Sequence, residues 1–130
     1  VSSEASRAGT GDLVEDLRTR LDGGGEVLDD AWIRAVGEVA ALLWPDASGS
    51  ANAARRTHHN LALIAGDVTV QLLVEGEGGR ARFAQRDPTS LAIHDAFRAA
   101  LAEGPDAYRA WVEGAGRQLL ERRMEALQGG

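Results

Sequence analysis

Two glycine-bearing interruptions inside one apolar stretch, Gly66-Asp67 and Gly76-Glu77-Gly78-Gly79, constrain the fold of this chain more than any other feature. Between Asn60 and Gln85 they separate three short runs with apolar residues at alternate positions. A Gly-Asp pair between such runs is a hairpin signal, because glycine supplies the positive φ that a two-residue turn needs. The register that follows sets Ala65 opposite Val68, Leu63 opposite Val70 and Leu61 opposite Leu72. The second turn sets Val74 opposite Ala81 and Leu72 opposite Phe83. Side chains alternate along a strand, so both turns put Leu61, Leu63, Val70, Leu72, Val74 and Phe83 on one face. The expectation is a three-stranded antiparallel meander with that face covered by helices.

Helical periodicity brackets the meander. From Asp12 the residues Leu13, Val14, Leu17 and Leu21 recur at helical spacing until Gly23-Gly24-Gly25, which reads as a loop or hinge. A second helix starts at Asp29 or Asp30 and stops at Pro45. It turns Trp32, Val36, Val39 and Leu43 inward, with Ile33 and Ala40 widening the stripe, and its tryptophans Trp32 and Trp44 read as core. After the meander, Asp87 caps a third helix with Pro88 in its first turn, and Ile93, Phe97, Ala100 and Leu101 form its buried face. Gly104-Pro105 separates it from a last helix running from Asp106 to about Leu127. There the apolar stripe drifts at Gly114 and Gly116, which implies a bend or a close approach of another backbone. Residues 1–9 read as a disordered tail, and residues 10–130 as a single α+β domain. Its order is two N-terminal helices, the three-stranded meander and two C-terminal helices.

Charge and residue usage narrow the chemistry. The chain has no cysteine, so disulfides, a thiol nucleophile and thiolate metal sites are out. All fourteen basic residues are arginine, which removes a lysine Schiff base and a P-loop lysine. Residues 1–54 carry ten acids against four arginines, and residues 55–130 carry ten against ten. An acidic front half disfavours general nucleic-acid binding, which needs a basic face for phosphate. No apolar run approaches the roughly 20 residues of a membrane span, and the expected location is the cytoplasm.

Candidate chemistry centres on the histidines and on one group of arginines. His58, His59 and His94, with Asp67, Asp87 or Asp95, have the residue types of a zinc or iron site. Adjacent residues entering a strand point to opposite faces, however, so His58 and His59 diverge, and no metal or other cofactor is expected. A His-Asn-His nuclease reading fails because His59 leads straight into an apolar hairpin. A serine triad fails because Ser48, Ser50 and Ser90 lack a Gly-x-Ser-x-Gly elbow. The turn Gly76–Gly79 joins strands and is flanked by Glu75 and Glu77, which argues against a phosphate cradle.

Arg80, Arg82 and Arg86, with Arg55 and Arg56 upstream, form a candidate strip for an anion or an acidic partner. The expected function is a non-enzymatic protein-interaction module, such as an adaptor, chaperone or regulatory subunit. The alternative is a small ligand- or metal-binding protein or enzyme centred on His58, His59, His94 and Asp67. Self-association as a two-fold dimer is expected, through Ile64 and Leu73 on the mixed sheet face and Leu120, Met124 and Leu127 of the last helix.

Overall fold

The computed structural model describes residues 2–23 and 27–129, with side chains over 12–23 and 27–128. Among the described residues it is helical throughout, with no strand. The helices are α1 (Ser2–Gly23), α2 (Asp30–Leu43), α3 (Gly49–Glu75), α4 (Gly79–Arg86), α5 (Pro88–Glu103), α6 (Pro105–Trp111) and α7 (Arg117–Gly129). A π-helical segment, Val112–Gly116, joins the last two into one continuous rod. The backbone of residues 2–9, expected as a disordered tail, belongs to α1, while the side chains of residues 2–11 and the glycines 24 and 25 of the expected hinge lie outside the described residues.

The meander expected over 60–85 is replaced by the C-terminal half of α3, the glycine turn and α4, and the α+β assignment is corrected to all-α. The reason can be traced residue by residue. Ala54, His58, Leu61, Ala62, Ala65 and Val68 are buried along α3, at steps of four, three, one, three and three. That is a helical period, and it begins upstream of the stretch in which alternate positions also happen to be apolar. The alanines at 51, 53 and 54 are strong helix formers and start the helix before the supposed first strand. The face expected from the hairpin register does not exist: Leu61 and Phe83 are buried, whereas Val74 is 81% exposed.

Gly66 is the deciding residue. It does not make a turn but lies buried in the middle of α3, where a β-carbon would sit 2.7 Å from Val27 Cγ1 and 3.3 Å from Trp32 Nε1. Glycine there lets the α1–α2 connection and Trp32 approach the α3 backbone closely. The second glycine group does interrupt the chain. Gly76 at φ +70° ends α3, with its N–H donating to the Leu72 carbonyl at 3.1 Å. Gly78 at φ +80° turns the chain into α4, so this group is a helix–helix connection rather than a hairpin.

The flanking helices match their sequence signals closely. Asp29 caps α2 by accepting from the Trp32 N–H at 2.8 Å, and Asp87 caps α5 by accepting from the Ser90 N–H at 3.2 Å. Pro88 occupies the first turn of α5, where its missing N–H leaves no orphan. Trp32, Val36, Val39, Leu43, Ile93, Phe97, Ala100 and Leu101 are all buried, but Ile33 is exposed. The core is one large cluster from Val14 and Leu17 of α1 to Leu120 of α7, and α3 packs most extensively on α5. Val68, Phe83 and Leu91 form a satellite cluster that fastens α4 to α3 and α5. Gly116 sits against the Trp111 ring, 3.0 Å from where a β-carbon would be. The extra residue of the π-turn therefore sits where the apolar stripe drifts.

Candidate functional site

Helix α3 carries the histidines into different surroundings. His58 is fully buried beside Trp44 and Tyr108. Its Nε2 faces the Val36 carbonyl at 2.8 Å, and a carbonyl only accepts, so Nε2 holds the proton. Its Nδ1 then accepts from the Tyr108 hydroxyl at 2.5 Å. Burial pushes the His58 pKa down to about 4, against the pull of the Val36 carbonyl and with a small push from His59. Burial likewise raises the Tyr108 hydroxyl well above its ordinary value. Around this pair, Phe97 meets Tyr108 edge-on at 5.4 Å, and Trp44 Nε1–H donates to Glu113 Oε2 at 2.6 Å. The group ties α2, α3, α5 and the α6–α7 rod together with its polar atoms satisfied.

His94 is buried on α5, with Nε2 3.1 Å from Thr69 Oγ1 and Nδ1 3.1 Å from Asp95 Oδ1. The Thr69 hydroxyl has one hydrogen and two acceptors in reach, this ring and the Ala65 carbonyl at 2.9 Å. Burial lowers the His94 pKa, and the hydrogen bond and charge of Asp95 oppose that. Burial pulls the Asp95 carboxyl upward, but hydrogen bonds from Arg80 and His94 outweigh it and hold the carboxyl low. His59 is half-buried on another face of α3, and Asp67 is exposed, accepting from Gln71 Nε2 at 2.6 Å. Among the described residues, no three His, Asp or Glu side chains converge as a metal group would need.

Of the arginines expected to face an anion, Arg80, Arg82 and Arg86 are engaged with their own chain. Arg80 pairs with Asp95. Arg82 and Arg86 both reach Glu75, at 3.4 and 3.0 Å, and the Arg86 bond is the main reason the Glu75 carboxyl is held low. The Arg86 guanidinium also lies over the Phe83 ring, 4.9 Å from its centroid.

The residues expected at an interface divide. Leu120 is buried in the core of its own chain, Ile64 is half-buried, and Leu73 is 62% exposed at the end of α3. Met124 and Leu127 are 48% and 67% exposed on α7. A cleft of about 790 Å³ opens beside them, between α3, α4, the start of α5 and α7. Its apolar wall is Leu63, Ile64, Val68, Phe83, Ala126 and Leu127, and its rim carries Asp67, Arg86, Asp87 and Arg123. Arg123 Nε donates to the Ser90 hydroxyl at 2.9 Å, which pins α7 to the first turn of α5 at the edge of the cleft.

Two features here escaped sequence reading: the His58–Tyr108 pair and the Arg123–Ser90 clasp. The first had a signal. His58 stands four residues after Ala54 and three before Leu61, within the apolar stripe of a helix once the segment is read as one. The second joins residues 33 apart and has no local pattern. Comparison of the chain with known protein families, curated proteins and solved structures returned no match. No described helix is long and apolar enough to cross a membrane.

Proposed function

We propose that this chain is a protein-interaction module that pairs with a second copy of itself through the cleft between α3, α4, α5 and α7. The carrying observation is the uncovered end of α7. Met124 and Leu127 stand exposed beside a cleft whose wall is already apolar. Covering them against Leu63, Ile64 and Phe83 of a partner copy removes apolar surface from water, at about 25 cal/mol per Å². The rim supports a copy of the same chain as the partner. It mixes Arg86 and Arg123 with Asp67 and Asp87, charges of both signs that the same rim on a second copy can complement. An adaptor, chaperone or regulatory subunit works through a surface of this kind.

Light scattering at micromolar concentration tests the reading. The expected mass is about twice the 13.7 kDa of one chain, returning to 13.7 kDa with Met124→Glu and Leu127→Glu together. Leu42→Glu, on the exposed side of α2, leaves the dimer intact. A wild-type mass of 13.7 kDa sinks the proposal.

A further inference from the structure

The N-terminal half of α3 carries a polar stripe with no role in the fold or in the cleft. Asn52, Arg55, Arg56, His59 and Asn60 recur at steps of three, one, three and one, which places them on one helix face. With Gly37 and Ala40 of α2 they line a groove of about 440 Å³. Each of the five side chains can donate hydrogen bonds, and the groove contains no carboxylate. Among the described residues, none of the five has a side-chain hydrogen bond or ion pair within the protein, although their neighbours Thr57 and His58 do. Arg80, Arg82, Arg86, Arg98, Arg109 and Arg117, by contrast, each hold a carboxylate, while Arg34 and Arg122 hold none among the described residues. The opposing wall is kept low: no atom lies within 4 Å of where a β-carbon of Gly37 would be.

In a chain of net charge −6, an acid-free row of donors with two adjacent arginines is a local positive patch that an anion would neutralise. We propose that this groove binds a small phosphate-bearing molecule. Arg55 and Arg56 supply forked contacts to phosphate oxygens, and Asn52, His59 and Asn60 donate around them. A compact anion fits better than a polyanion, because the stripe extends only about 12 Å along the helix. The N-terminal part of the chain, residues 1–54, carries ten acids against four arginines, a balance that disfavours binding of a long phosphate backbone.

Titration of the isotope-labelled protein with pyrophosphate at fixed ionic strength, followed by NMR, tests this. Saturable shifts are expected at Gly37, Asn52, Arg55, Arg56, His59 and Asn60, with a dissociation constant below roughly 1 mM. Arg55→Gln with Arg56→Gln, both surface changes that leave the thermal midpoint in place, weakens binding at least roughly tenfold, while Arg122→Gln does not. Absence of saturation, shifts centred elsewhere, or affinity unchanged in the double variant overturns the proposal. So does a single-stranded oligonucleotide that binds through the same arginines more tightly than pyrophosphate.

Discussion

Acidification should destabilise this protein through His58 before its carboxylates titrate. In the unfolded chain the ring ionises at the ordinary 6.5, and in the fold burial holds it at about 4. Above 6.5 the ring is neutral in both states and the full stability is present. Between 6.5 and about 4 only the unfolded chain takes up the proton, so stability falls throughout that window. At about 1.36 kcal/mol per pH unit the loss from this one residue is about 3 kcal/mol. For a chain of this size that is roughly 10 °C in thermal midpoint. The geometry explains the low value: a proton on Nδ1 would place a charge among Trp44, Tyr108 and the Val36 carbonyl and would deprive the Tyr108 hydroxyl of its acceptor. Burial lowers the His94 pKa as well, so His94 also contributes a loss of stability as pH falls below the ordinary histidine value. Glu75 and Asp95 are also held low, and their losses come at more acidic pH, below the ordinary carboxylate values of 4.5 and 3.8. The His58 ring is therefore followed separately by NMR, alongside denaturant unfolding from roughly pH 7 to pH 4 on a His94→Gln background. An apparent pKa for His58 near 6.5 in the folded protein refutes the reasoning, as does an unfolding midpoint that does not move across the window.

Tyr108→Phe removes the donor to His58 Nδ1 and is expected to lower unfolding free energy by about 1–3 kcal/mol, read from denaturant midpoints. Two glycine substitutions should act in opposite directions. Gly66→Val drives side-chain atoms into Val27 and Trp32 and should cost about 1–3 kcal/mol despite its removal from a helix interior of the least helix-prone residue but proline. Gly37→Ala meets nothing within 4 Å and should add up to about 1 kcal/mol, giving a higher thermal midpoint.

Helices α2, α5 and α6 were legible because their punctuation is local. Asp29, Asp87, Pro88 and Gly104 each act within a turn of themselves, and the structure uses them as boundaries. Gly66 was not legible as a packing residue. Glycine before aspartate has the same local meaning in a hairpin as in a helix interior, and only Val27 and Trp32, distant in sequence, decide between them. Once Gly66-Asp67 is read as a turn, the alternating leucines agree with it, since a stretch rich in Ala, Leu and Val satisfies both periods. The same substitution of period hid the site. On a strand His58 and His59 point apart, whereas on α3 His58 enters the core and His59 joins Arg55, Arg56 and Asn60 on the groove. Met124 and Leu127 were legible as uncovered apolar residues, but Leu120 was not separable from them. The π-turn at 112–116 rotates the stripe and returns Leu120 to the core of its own chain.

The cleft and the groove both exist only if α3 is one continuous helix through Gly66. Backbone chemical shifts and amide–amide contacts across Leu61–Leu73 test that directly. The account requires downfield α-carbon shifts at every residue of that span, with sequential amide contacts running unbroken through Gly66 and Asp67. Upfield α-carbon shifts on either side of Gly66, with cross-strand contacts between Leu63 and Val70, would contradict it.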